Sequence, residues 1–159
     1  MLQWMHDTDA VAYLQGHFLE KTLADCLNFI ACSQETQDHL HLAIADDEDV
    51  YLGTVSLKHI DRQQKDGEFA IAIHPDAMGT GCARWAMEQI LHIGLTELDL
   101  HRIFWCVSPE NRRAVRFYEK GGYDRTNPEN INAERYYAPQ LVSQLLWYCV
   151  QDAQGEKQV

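Results

Sequence analysis

Met78-Gly79-Thr80-Gly81-Cys82-Ala83 is the stretch on which the fold turns. Just before it, residues 67–73 (Gly-Glu-Phe-Ala-Ile-Ala-Ile) alternate with the period of a strand and end at His74-Pro75. Just after it the period changes to 3.6. Ala83, Met87, Ile90, Gly94 and Leu98 share one face of a helix running from 81 to about 98. A second apolar strand follows at 102–107. Strand, glycine turn, helix and strand make a crossover, so these two strands are expected to lie parallel. Gly79 and Gly81 allow backbone amides to converge without Cβ obstruction, and a helix N-terminus adds about half a positive charge. The turn is thus a candidate anion site for a phosphate-bearing ligand. A dinucleotide fingerprint would need glycine at 84, which is Arg84, and no Gly-Lys-Ser/Thr follows for a nucleoside-triphosphate loop. Two glycines alone also fit a plain tight turn.

Working outward, residues 108–120 read as a helix, with Ser108 as N-cap, Pro109 in the first turn and Gly121-Gly122 as its stop. Asn111 and Tyr118 are seven apart, so about 100° per residue returns both to nearly one face. Two further strands are expected at 39–45 and 50–57, joined as a hairpin by the acidic bend 46–49 (Asp-Asp-Glu-Asp), and a last one at 143–150. The N-terminal third reads as two helices. One is capped by Asp7 or Thr8 and runs to Leu14 before Gly16, and the other opens at Thr22. Residues 124–133 read as a polar loop. The expected fold class is α/β (α+β): a mixed sheet of six to seven strands with a parallel central pair and about four helices. One domain over 1–151 is expected, with a frayed tail at 152–159.

The 159 residues carry 13 Lys and Arg against 24 Asp and Glu, a formal charge of −11. Such a surface repels phosphate backbones and favours a cationic partner over nucleic acid. At 46% hydrophobic residues the chain can bury a core, and no apolar run approaches the roughly 20 residues of a membrane helix. The N-terminus lacks a basic and apolar leader pattern. Five cysteines, an odd number without a Cys-x-x-Cys pair, point to free thiols and a cytoplasmic location. His39 and His41 share a strand face, but two histidines without a third ligand make a weak metal site, and no metal is expected.

The segment 69–123 resembles the GCN5-related N-acetyltransferases, the GNAT superfamily. Their turn signature, Gln/Arg-x-x-Gly-x-Gly/Ala, is matched in its small residues at Gly81 and Ala83, while Met78 stands where the family has Gln or Arg. Asn111-Arg112-Arg113-Ala114-Val115-Arg116-Phe117-Tyr118-Glu119-Lys120-Gly121-Gly122-Tyr123 fills every key position of the family's Asn-x-x-Ala-x-x-x-Tyr-x-x-x-Gly-Phe/Tyr segment. Leu100-His101-Arg102-Ile103 and Trp4-x-x-Asp7 resemble the branch of ribosomal-protein-alanine and spermidine acetyltransferases. Relatives open with a strand before the first helix, and here that strand is shortened or missing.

The resemblance implies an acetyl-CoA-dependent N-acetyltransferase that acts by direct transfer to a primary amine, whether of a polyamine, a protein N-terminus, an amino sugar or an antibiotic. It implies that the CoA pyrophosphate lies on the amides of Gly79, Thr80, Gly81, Cys82 and Ala83, beside Met78. The pantetheine arm then runs along Ile71 and Ile73 and against Asn111, and Tyr118 protonates the leaving thiolate. By its chemistry and its place on the strand, Glu68 is the candidate base or cation anchor, and it equally fits a plain surface carboxylate. His74 and His101 are further candidates as base. Arg112, Arg113 and Arg116 form either a phosphate contact, with Arg113 the named candidate, or a solvated basic face. The same fold also accommodates a non-catalytic acyl-CoA-binding or regulatory domain, and a homodimer is compatible with the late strands.

Overall fold

A computed structural model describes residues 2–6, 8–12, 18–34 and 36–152. The readings placed on Asp7, Leu14, Gly16 and the tail beyond 152 lie outside the described residues. Two short helical turns, α1 (Leu2–Met5) and α2 (Thr8–Val11), precede α3 (Leu23–Cys32). Thr22 caps α3 through a reciprocal capping box with Asp25, which satisfies two first-turn amides at once.

The sheet comprises β1 (Leu40–Ala45), β2 (Tyr51–Asp61), β3 (Asp66–Ile73), β4 (Arg102–Val107), β5 (Arg125–Thr126) and β6 (Leu146–Gln151). Its spatial order is β1-β2-β3-β4-β6-β5, and only the β3/β4 pair is parallel. The acidic bend closes the β1/β2 hairpin because the Asp46 carboxylate accepts from the backbone of Glu48 and Val50, both at 2.9 Å. The parallel pair is joined by α4 (Cys82–His92), which widens into a π-helical turn at Ile93–Glu97. At Gly94 that turn presses on the sheet: a Cβ there would lie 2.5 Å from Ile103 Cδ1. The next helix, α5 (Arg112–Lys120), returns the chain to β5. A run of short turns and α6 (Pro139–Val142) then leads into β6.

Strand alternation divides the core into two layers. Phe69, Ile103, Trp105 and Tyr148 point toward α4 and α5 and pack with Leu57, Met87 and Ile90. Phe104 and Trp147 point the other way and are covered by Ile131, Ala133, Val142, Tyr136 and Tyr137. The second layer is small but carries the buried ion pairs described below. Among the described residues no helix is long and apolar enough to cross a membrane.

The structure revises some sequence-based bounds. Asn111, not Ser108, caps the last long helix, so α5 begins at Arg112. The second strand continues past residue 57 to Asp61, with a register shift between Lys58 and Asp61. The polar loop 124–133 contains the two-residue strand β5, the whole 3₁₀ turn Pro128–Ile131 and the start of the one at Ala133–Arg135.

Candidate active site

The parallel β3/β4 ladder holds only three rungs, Asp66–Arg102, Gly67–Ile103 and Glu68–Phe104. Beyond Glu68 the two strands no longer pair. β3 stays bonded to β2 as far as Ile73, and β4 stays bonded to β6 as far as Val107. The β4-facing backbone edge of β3 beyond the last rung, which includes Ile71 and Ile73, is therefore available to an extended ligand, in the manner of an added strand.

The glycine turn stands at the open end of this fork. His74 accepts from the Asp76 amide at 3.2 Å and starts the 3₁₀ turn Pro75–Ala77. Ala77 O then receives the Thr80 hydroxyl at 2.7 Å and the Cys82 thiol at 3.5 Å, which braces the turn from inside. Gly79 (φ +86°) and Gly81 (φ +94°) take the left-handed backbone that side chains disfavour. An added Cβ at either would meet nothing within 4 Å, so both face open space. Gly81 caps α4 without a side-chain hydrogen bond. The Thr80 hydroxyl accepts from the Cys82 amide at 3.4 Å, a long bond that leaves the positive end of α4 open to a phosphate group.

Tyr118 lies on α5, buried in the layer under the helices, with its ring 5.4 Å from Trp105 and 5.3 Å from Tyr148. Burial, with smaller contributions from Cys106, Tyr148 and Tyr123, pushes its phenol well above the ordinary value of 10. Asn111 stands at the cap and not within the helix. Its Oδ1 accepts from the Ala114 amide at 3.1 Å, leaving its side-chain NH₂ free of that bond. Arg112, Arg113, Arg116 and Lys120 are exposed and, with Phe117, line a cavity of about 350 Å³ along α5. Among the described residues these four cations form no salt bridge, whereas Arg84 is paired with Glu88 at 3.0 Å.

Glu68 lies on the opposite face of the sheet and is 3% exposed, so it is no surface carboxylate. Three donors hold it: Lys58 Nζ at 3.2 Å and the Tyr137 hydroxyl on Oε1, and His59 Nδ1 at 2.9 Å on Oε2. Burial pushes the carboxyl up, but His59, Lys58 and Tyr137 together outweigh it and hold the group below its ordinary 4.5. Burial, Cys106 and Glu68 push the Tyr137 phenol up. Cys106, two positions on from the last rung, thus acts on both Tyr118 and Tyr137. The fork is flanked by a phenol on one face and an ionised carboxylate on the other.

Of the residues expected from the sequence, Glu68 stands on the last paired rung, the glycine turn follows β3, Tyr118 packs on Trp105 of β4, and Asn111 caps α5. His74 starts the turn and its amide donates to the Leu52 carbonyl at 2.7 Å, and His101 lies beside Lys65 at 3.4 Å near the far end of β4. His59, Lys58 and Tyr137 were missed. His59 and Lys58 fell beyond the expected end of their strand, and Tyr137 is 69 positions from Glu68. Among the described residues no group of three or more His, Cys, Asp or Glu is arranged to hold a metal ion.

The profile of the acetyltransferase (GNAT) domain family matches residues 1–124. A spermidine N(1)-acetyltransferase from Vibrio cholerae serotype O1 is 33% identical over 128 residues, covering 77% of this chain and 72% of that protein. The spermidine N(1)-acetyltransferase of Escherichia coli K12 is 26% identical over 127 residues, covering 77% and 67%. The crystal structure of spermidine N-acetyltransferase from Vibrio cholerae in complex with CoA and spermine shares the fold. It has a TM-score of 0.71 and 23% identity, covering 79% of this chain and 73% of that one.

Proposed function

Because this chain belongs to the GNAT acetyltransferase family and is an N-acetyltransferase, we propose that it transfers the acetyl group of acetyl-CoA directly to a primary amine of a polyamine. The observation that carries the reading is the fork with its unlike faces: the buried Tyr118 phenol on the helix side and the buried Glu68 carboxylate on the other. The two substrates then meet at the fork from opposite sides, with no covalent enzyme intermediate. The formal charge of −11 and the likeness to spermidine acetyltransferases support a polycationic acceptor over a protein N-terminus or an amino sugar. The free cysteines support a reducing, cytoplasmic setting.

In this reading the amides of Gly79, Thr80, Gly81, Cys82 and Ala83 bind the pyrophosphate, and Met78 supplies an apolar shoulder. The edge around Ile71 and Ile73 pairs with the pantetheine arm, and the Asn111 NH₂ donates to it. A backbone N–H on that edge polarises the thioester carbonyl, as preorganised donors do for developing negative charge. Arg113 on the basic side of α5 meets the 3′-phosphate. Tyr118 donates its proton to the departing sulfur. Its raised pKa makes full transfer uphill, so the phenol hands over its proton only as another reaches it. Glu68 already accepts three hydrogen bonds and acts by its charge, holding the acceptor ammonium at the fork.

The test is thiol release from acetyl-CoA over spermidine, spermine, a peptide with a free N-terminus and glucosamine. The reading predicts the highest kcat/KM for the polyamines. A higher kcat/KM for the peptide or the sugar would overturn the acceptor assignment.

A further inference from the structure

Lys58, His59 and Ile60 sit where β2 shifts register against β3. His59 occupies the left-handed region at φ +51°, a conformation that side chains disfavour. Bulges re-aim side chains, and backbone strain persists where the surroundings hold it in place. Here the ring is held on two sides. Nδ1 bonds Glu68 Oε2 at 2.9 Å, and the ring stacks on Tyr136 with centroids 4.7 Å apart and planes at 11°. Tyr136 stacks in turn on Phe104, the partner of Glu68 on the last paired rung. Glu68 is buried while the His59 side chain is 36% exposed. A buried carboxylate that fixes one ring nitrogen of a half-exposed histidine as the N–H, so that the other nitrogen keeps its lone pair, is the arrangement that makes an imidazole a proton acceptor.

We propose that His59 takes the proton of the acceptor ammonium through Nε2, with Glu68 as the positioning residue behind it. This rests on the acetyl-transfer reading above and adds the base that reading lacks. The ammonium has three N–H protons and the amide product one, so two must leave. The first passes to His59 Nε2, giving an imidazolium stabilised by Glu68, and then to water. The freed lone pair forms the N–C bond as the C–S bond breaks and its electron pair leaves with sulfur. The second proton replaces the one that Tyr118 gives to the thiolate. The net result is one proton released to solvent per turnover.

Charged and titratable groups face His59 from several elements. Glu68 on β3 holds its Nδ1 at 2.9 Å, and Lys58 beside it is itself paired with Glu68. His39, ahead of β1, accepts from the His59 amide at 3.4 Å and packs edge-on to its ring at 5.9 Å. Tyr136 covers the ring face, Tyr137 shares Glu68, and Arg135 is neutralised by Asp61 at 2.6 Å.

The experiment is the pH profile of kcat/KM for spermidine at saturating acetyl-CoA, for the wild type, His59→Asn and His59→Gly. Both replacements tolerate φ +51°, so the fold survives the change, and thermal melts confirm it. The wild type should show a limb that rises with pH as the base loses its proton. Both variants should lose that limb and fall about 100-fold near neutrality, with the gap closing at high pH and acetyl-CoA affinity unchanged. Added imidazole should restore part of the rate of His59→Gly. A folded variant that keeps the limb, even at reduced rate, overturns the proposal. Absence of turnover in the wild type with every amine would sink the function and this inference together. Wild-type turnover with an unchanged variant profile would sink only this inference.

Discussion

Replacing Tyr118 with phenylalanine removes one oxygen from a position whose ring packing remains. The phenyl ring keeps its contacts with Trp105 at 5.4 Å, Tyr148 at 5.3 Å and Phe117 at 5.3 Å, so the fold should lose less than about 1 kcal/mol. An alanine would instead empty an aromatic site in the layer beneath the helices, at about 3–5 kcal/mol, and confuse folding with chemistry. In Tyr118→Phe the thiolate must leave without a donor. General acid catalysis contributes about 10²–10⁴-fold, so kcat should fall at least about 100-fold, or about 2.7 kcal/mol in barrier. Acetyl-CoA affinity should stay within about twofold, since the phosphate and pantetheine contacts are elsewhere. Because burial raises the phenol above its ordinary 10, it remains protonated throughout the working range. The ratio of wild-type to variant kcat should therefore be flat from about pH 6 to 9. Stopped-flow thiol release with calorimetric titration of acetyl-CoA reads both quantities. A kcat within twofold of wild type would remove Tyr118 from the chemistry.

Three other outcomes follow from the same geometry. Gly81→Ala meets no steric obstacle but must adopt φ +94°, so acetyl-CoA binding should weaken about 5- to 30-fold in calorimetry, with kcat at saturation nearly unchanged; unchanged affinity would count against the glycine turn as the phosphate site. Arg113→Gln should weaken CoA more than dephospho-CoA, so a double cycle of variant and ligand should show coupling; simple additivity would free Arg113 from the 3′-phosphate. Glu68 has a folded-state pKa below its ordinary 4.5, so it contributes stability above that pH and loses it as pH falls through the folded value. The stability gap between wild type and Glu68→Gln in denaturant melts should shrink below about pH 4.5, and a gap constant with pH would contradict the cation clamp.

What could be read from the residues followed from local rules. Gly79 and Gly81 announced a tight turn with converging amides, the change from period two to period 3.6 announced the crossover, and alternation put Phe69, Ile71 and Ile73 on the face opposite Glu68. The helix start was misjudged because Ser108-Pro109 has the chemistry of a cap while Asn111, three residues on, has it too. In the fold Ser108 only braces the preceding turn, accepting from the Glu110 amide at 3.3 Å. The surroundings of Glu68 were not legible at all. Lys58 and His59 reach it through an irregular register across a hairpin, and Tyr137 comes from a segment 69 positions away. Such contacts depend on tertiary placement, and a lone Tyr-Tyr pair in a polar stretch carries no periodic signal. The two-residue β5 was hidden for a similar reason, being too short to alternate.

The central claim is that the fork brings acetyl-CoA and a polyamine amine together for transfer. Its most direct measurement follows, in one reaction, free CoA thiol by absorbance and acetylated spermidine by mass spectrometry. The account predicts one acetylated amine for each thiol released, with both signals falling together in Tyr118→Phe. Acetyl-CoA that stabilises the protein against heat yet yields neither thiol nor acetylated amine with any polyamine would contradict it, and would leave an acyl-CoA-binding domain in its place.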